Sequence, residues 1–193
     1  MQVVNQSAEL LSVTPESARL IESAGRTCYQ STGNPESTAP FIAMLMRRGH
    51  LSVLEHASAT IRIVTDRGVT HELVRHRIAA YSQESTRYCN YRDSIRFIAP
   101  VDFDLDDADR ILLAAIERHY SRCLARGRTP QQARYFLPNG LKTEIVMTCN
   151  FREWLHVLSL REAPATHPQM RALMVLVRAE LVKACPEVFN ERA

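Results

Sequence analysis

Residues 57 to 65 alternate. Ala57, Ala59, Ile61 and Ile63 are small or apolar, and Ser58, Thr60 and Arg62 between them are polar. A period of two puts each set on its own face, so this is the clearest strand in the chain. Asp66-Arg67-Gly68 turns it, and a helical pattern from Val69 to Arg77 follows. Two more strands are predicted, Ser94 to Ala99, stopped by Pro100, and Leu141 to Cys149 after an Asn139-Gly140 turn.

The remaining patterns are helical. Thr14-Pro15-Glu16 predicts a capped helix start, with proline at the first turn, and the helix runs to about Cys28. Residues 30 to 36 form a breaker-rich loop, and a helix from Thr38 to Arg48 is ended by Gly49. Ile111, Leu112, Ala115, Ile116, His119, Tyr120, Cys123 and Leu124 mark a long amphipathic helix from Asp106 to Arg126, ended by Gly127. Thr129-Pro130-Gln131-Gln132 has the pattern of a capping box, and its short helix ends near Pro138. Asn150-Phe151-Arg152-Glu153 has a similar pattern and opens a helix ending near Arg161. Met170, Leu173, Met174, Val177 and Leu181 share one face of a closing helix before Pro186. Helices mixed with a few separated strands predict an α+β fold. The expected architecture is a central, mostly antiparallel sheet flanked by helices, in a single domain over residues 1–193.

A chain of 193 residues buries roughly 70% of its unfolded surface and needs no staples. Cys28, Cys89, Cys123, Cys149 and Cys185 are odd in number and include no Cys-x-x-Cys pair. That spacing predicts reduced thiols in a cytoplasmic protein, not a disulfide framework or a cysteine zinc site. Met1 to Glu9 shows no signal-peptide pattern, and no apolar run approaches the ~20 residues that span a bilayer. The formal charge is +3, and lysine occurs only at Lys142 and Lys183. Arginine suits bidentate recognition of phosphate or carboxylate; a G- and C-rich genome explains the bias equally well. The charge is not concentrated enough to predict nucleic acid as a partner.

The stretch from Arg75 to Tyr88 reads Arg-His-Arg-Ile-Ala-Ala-Tyr-Ser-Gln-Glu-Ser-Thr-Arg-Tyr. Arg75, His76 and Arg77 are consecutive, so they point in several directions in either helix or strand. Such a stretch packs poorly but can wrap anionic groups. No Gly-x-Gly-x-x-Gly or phosphate-loop motif accompanies it. Among the histidines, His71 and His76 are five apart, not the four that share a helical face, and no cysteine or carboxylate set completes a tetrahedron. No metal is expected.

Five blocks then occur in a fixed order. They are His50-Leu51-Ser52-Val53-Leu54-Glu55-His56; Glu72 three residues before Arg75-His76-Arg77; that triplet, seven residues, then Ser85 and Arg87-Tyr88; Ala133-Arg134-Tyr135-Phe136-Leu137-Pro138; and Asn150-Phe151-Arg152 with Leu160-Arg161 at the end of its helix. In order and approximate spacing the chain resembles the flavin-dependent thymidylate synthases. The resemblance implies that family's fold and a methyltransferase that makes dTMP from dUMP. In it, 5,10-methylenetetrahydrofolate gives the carbon and NADPH-reduced FAD the hydride. It also implies a homotetramer whose active sites draw on several subunits, with no nucleic-acid or membrane partner.

The same resemblance assigns residues. Arg87, Ser85 and Arg134 would hold the dUMP phosphate, with Glu72, Glu84, Arg75 and Arg161 as further substrate contacts. Arg75, His76, Arg77, Ser52, Gln83, Asn150, Arg152 and His156 would face the flavin, with His50 near flavin and folate. Arg161 carries the chemistry. Carbon 5 of uracil must become nucleophilic, and a cation beside N3–O4 stabilises the ionised ring. Arg161 can also be read as a helix C-terminal arginine complementing the dipole, and Asn150 as a helix cap. Ser85 would position substrate, because hydride transfer from flavin needs no enzyme nucleophile. No cysteine follows a proline, as the classical thymidylate synthases would require.

The chain departs from the family pattern in places. Ser82 and Gln83 stand where many members have Asn and Glu, Ala80 and Cys28 where some have serine, and His156 where some have asparagine. None removes a charge that this chemistry needs. The alternative is a catalytically idle nucleotide- or RNA-binding protein that kept the arginine pocket.

Overall fold

The computed structural model describes residues 1–92 and 94–190, with the backbone alone at Pro35. The alternating segment forms strand β3 (Ser58–Asp66), the second strand of a four-stranded antiparallel sheet. Its order is β2 (Ser7–Val13), β3, β6 (Lys142–Asn150), β4 (Ala80–Gln83). β3 and β6 pair along nine positions, from Ser58 opposite Asn150 to Asp66 opposite Lys142. A short parallel pair, β1 (Gln2–Val4) with β5 (Arg96–Ile98), lies apart.

The sheet's inner face explains the period of two. Ala59, Ile61 and Ile63 of β3 and Ile145, Met147 and Cys149 of β6 are buried in one cluster. Helices α6 (Phe151–Arg161) and α7 (Pro168–Ala184) bury Phe151, Trp154, Leu158, Leu173, Met174 and Val177 in the same cluster. Each such side chain contributes roughly 1.5–3 kcal/mol. Buried Trp154 needs a partner for its indole N–H and donates it to the Ala59 carbonyl at 3.0 Å.

Helices α1 (Ser17–Tyr29) and α2 (Thr38–Arg47) pack on each other, and α3 (Arg67–Leu73) follows β3. The smaller core joins Phe97 of β5, Tyr120, Cys123 and Leu124 of α4 (Asp107–Ala125), and Ala133 of α5 (Pro130–Ala133). The chain closes with α8 (Pro186–Phe189). Gly49 and Gly127, after α2 and α4, have φ of 72° and 82°, where a side chain would be strained.

Three sequence expectations are corrected. Thr14 does not cap α1: its hydroxyl accepts from the Ser58 N–H at 2.9 Å, and the helix begins at Ser17. α3 ends at Leu73 rather than Arg77, because the Tyr81 hydroxyl lies 2.9 Å from the carbonyl oxygens of both Leu73 and His76. The hydroxyl's single proton is offered between these two carbonyls, the Leu73 carbonyl also accepts from the His76 N–H, and the chain turns into β4, a strand the residue pattern of 75–88 did not predict. β1 and β2 were not predicted either. β2 shifts register between Leu10 and Ser12, and the Leu10-Leu11 doublet breaks its alternation.

Candidate active site

Consecutive Arg75, His76 and Arg77 do diverge. His76 is buried, while Arg75 and Arg77 are exposed and, among the described residues, have no side-chain partner. The bend after α3 turns the imidazole against α6, where Arg161 meets it. Arg161 Nε donates to His76 Nε2 at 2.9 Å, Nη1 to Glu72 Oε2 at 2.8 Å, and Nη2 to the Glu72 carbonyl at 3.0 Å. A guanidinium has five N–H groups, so two remain to be offered to a ligand.

An arginine N–H can only donate, so His76 Nε2 is an acceptor and the ring proton sits on Nδ1. Burial, then the neighbouring Arg161 and His156, lowers the His76 pKa from 6.5 to about 4, and the ring is neutral near pH 7. Its Nδ1 faces Glu153 Oε1 at 3.7 Å, and the His156 ring lies edge-on at 5.8 Å between centroids.

His76, Glu153 and His156 have ligand atoms within 4.8 Å of one another, a grouping that could suggest a cation site. The donor set does not fit one. His76 Nε2 is taken by Arg161 and Nδ1 carries the proton, so the ring has no free lone pair, and the guanidinium adds positive charge beside it.

A second group lies beyond the other end of β4. Ser85 Oγ accepts from the Arg87 N–H at 3.2 Å, Arg87 Nε donates to Gln131 Oε1 at 2.7 Å, and Arg134 Nη1 reaches Thr86 Oγ1 at 3.5 Å. Among the described residues the partners here are neutral, so both arginines keep their full charge. α5 brings Gln131 and Arg134 to this turn. Its capping box at Thr129 and Gln132 has both halves formed, as predicted.

A third group lines a groove of about 1550 Å³ that runs past the start of α6. Asn150 Oδ1 accepts from the Glu153 N–H at 2.9 Å, so the cap reading of Asn150 holds. Arg152 pairs with Glu55, and Asn150, Arg152, Glu153 and His156 all line the groove. Arg171 lines it too, and its Nε is buried with no partner among the described residues. Exposed Ser52 precedes Glu55 in the same 3-10 turn, Leu51–His56. His50 Nδ1 lies 3.3 Å from the Tyr29 hydroxyl.

Two predicted residues are held elsewhere. Gln83 lies on the inner face of β4, and its amide donates to Thr70 Oγ1 at 2.9 Å and Thr143 Oγ1 at 3.2 Å. Glu84 Oε2 accepts from Lys142 Nζ at 2.8 Å and lines a separate cavity of about 390 Å³. Sequence reasoning missed two participants, Glu153 and Arg171. Glu153 was read only as part of a helix cap, and the sign of another use is its burial beside His76.

Comparison with known proteins bears on the family and the fold. The thymidylate synthase complementing protein family matches residues 9–187. Proteins named flavin-dependent thymidylate synthase are similar in sequence. That of Mycobacterium sp. (strain JLS) is 38% identical over 201 residues, covering 90% of this chain and 79% of its own. That of Mycobacterium avium (strain 104) is 38% identical over 196 residues, covering 89% and 78%. Among solved structures, a UMP/dUMP methylase, PolB from Streptomyces cacaoi bound with 5-Br dUMP, superposes with a TM-score of 0.80 at 24% identity, covering 98% of this chain and 96% of that one. Thymidylate synthase X from Helicobacter pylori with FAD and dUMP gives 0.78 at 24% identity, covering 95% and 97%. At that identity the structures bear on the fold, and the sequence matches on the family. With its blocks, its fold and these matches in agreement, the chain belongs to the thymidylate synthase complementing protein family, that of the flavin-dependent thymidylate synthases.

Proposed function

We propose that this protein is an FAD-dependent thymidylate synthase that methylates dUMP to dTMP, with 5,10-methylenetetrahydrofolate as carbon donor and NADPH as reductant. The observation that carries this is the Arg161–His76–Glu72 cluster, which joins residues from separate family blocks. Arg161 presents two unused N–H groups from a half-buried position, suited to an anion forming along uracil N3–O4. Its charge lowers the N3 pKa and makes carbon 5 nucleophilic. Arg87 and Arg134, uncompensated by any acid among the described residues, suit the phosphate, and Ser85 orders the turn that carries Arg87. Glu72 and Arg75 are further substrate contacts in this reading, and Glu84, held by Lys142, stands behind the phosphate arginines rather than among them.

The groove fits a large dinucleotide in size, and the orphaned Arg171 N–H supplies a donor with no internal acceptor. Ser52, Arg75, His76, Arg77, Asn150, Arg152 and His156 would hold FAD, with Gln83 bracing the strand behind them and His50 at the flavin and folate edge. FAD, when bound and reduced, supplies the hydride that completes the methyl group. The protein's own part is to orient the uracil, hold it as an anion and shield it from water.

The active assembly in this proposal is a homotetramer that shares its sites. Large apolar side chains left exposed in one chain support it: Ile111 and Leu112 on α4, Tyr135 after α5, and Ile78 beside Arg77. The cytoplasm is the proposed compartment. All five cysteines are free, which suits it, and among the described residues no helix is long and apolar enough to cross a membrane.

The test is to combine protein, FAD, dUMP, methylenetetrahydrofolate and NADPH and measure dTMP. Product that disappears in Arg161→Ala supports the proposal. No product, with flavin oxidation indifferent to dUMP, overturns it.

A further inference from the structure

Among the described residues, three α-helices start with an Asp, Thr or Asn cap and a carboxylate or amide residue three positions on, and their caps are not completed alike. At α4, Asp106 accepts from the Asp109 N–H and Asp109 reaches back to the Asp106 N–H. At α5, Thr129 and Gln132 form the same reciprocal pair. At α6 only the first half exists: Asn150 accepts from the Glu153 N–H, and the Glu153 carboxylate does not return. Asn150 is also the last residue of β6, opposite Ser58. The carboxylate turns inward and is 7% exposed.

A buried carboxylate is costly unless something polar faces it. Here that group is the His76 ring. At 3.7 Å the approach is a charge–dipole contact. On its other edge the ring must accept from Arg161 Nε. Were the proton to move to Nε2, two N–H donors would meet head-on at 2.9 Å and Nδ1 would turn a lone pair toward the carboxylate. Both contacts would become repulsive together. Tyr81 fixes the His76 carbonyl, so the ring has little freedom to swing away.

The geometry points to Glu153 as a positioning residue for the Arg161 reaction: it holds His76 in the Nδ1–H form, and His76 aims the guanidinium. Glu153 needs no contact with substrate to do this. Its role in turnover rests on the thymidylate synthase proposal, but its effect on His76 does not.

The experiment uses the full chain, labelled with nitrogen-15 at histidine, with His76 assigned through His76→Gln. Wild type shows the ring proton on Nδ1. Glu153→Gln, whose amide oxygen can face the same N–H, keeps that pattern and stays within about threefold of wild-type kcat. Glu153→Leu loses the single tautomer and drops kcat about 10- to 100-fold with little change in KM for dUMP, as misplacing a charged group does. A wild-type proton on Nε2 overturns the proposal, as does a Glu153→Leu protein with the wild-type spectrum and kcat. If Glu153→Leu fails to fold, Glu153→Ala takes its place and is judged by the same spectrum and kcat. If wild type makes no dTMP, the enzyme assignment fails while the spectrum still reports on Glu153.

Discussion

The two arginine groups at the ends of β4 differ in how their charge is handled. Arg87 and Arg134 lean on Gln131 and Thr86, which are neutral. Arg161 is paired with the Glu72 carboxylate and aimed by an imidazole. The first arrangement leaves full positive charge facing solvent, as capture of a dianion requires. The second spends part of its charge internally and gains a fixed direction. Attraction can tolerate loose side chains, whereas stabilising an ion that exists only during reaction needs donors already in place.

The largest expected effect comes from Arg161→Ala. It should lower kcat for dTMP formation on the order of 10²- to 10³-fold, by steady-state assay, with a smaller change in KM for dUMP. Arg87→Ala and Arg134→Ala should do the opposite, raising KM for dUMP about 10- to 100-fold each, as loss of a charge-assisted contact does. If either costs kcat more than KM, the division of labour between the two groups breaks.

Acid should undo the aimed group from inside. His76 is neutral in the fold, with a pKa depressed to about 4 from 6.5. The unfolded chain therefore binds more protons between those values, and stability falls as pH drops through that window. The loss is at most roughly 3 kcal/mol. Urea unfolding at pH 7 and pH 5 samples the upper part of that window, roughly 2 kcal/mol, and His76→Gln should flatten the slope.

Glu72→Gln is the smallest change. The Glu72 side chain is 44% exposed, so its ion pair with Arg161 is worth about 1 kcal/mol or less. A shift in melting temperature of a few degrees at most is expected, read by calorimetry. A much larger shift would make Arg161 a structural residue first.

Most of the scaffold could be read from residue order because local signals agreed with the tertiary fold. β3 alternates cleanly, α4 runs over the predicted amphipathic stretch, and α5 carries a cap that forms as predicted. The failures have tertiary causes. α3 stops where the Tyr81 hydroxyl reaches the Leu73 carbonyl, and β2 hides its period in a bulge. In the site, the divergence of Arg75, His76 and Arg77 follows from their being consecutive. The inward turn of Glu153 could not be foreseen, since at α4 and α5 the same spacing gives a closed cap. The inward placement of Gln83 could not be read without β4: one position along that strand decides whether a side chain meets Thr143 or faces outward.

That parity has a consequence for the four residues of β4, Ala80 to Gln83, which separate the two arginine groups. They act as a ruler, each residue adding about 3.3 Å. A single-residue insertion would turn Tyr81 out and release its grip on His76. A two-residue insertion would preserve every facing side chain and simply lengthen the gauge by about 6.6 Å. Such a protein would fold with both ends intact and still be mis-sized for any nucleotide short enough to bridge the original gap.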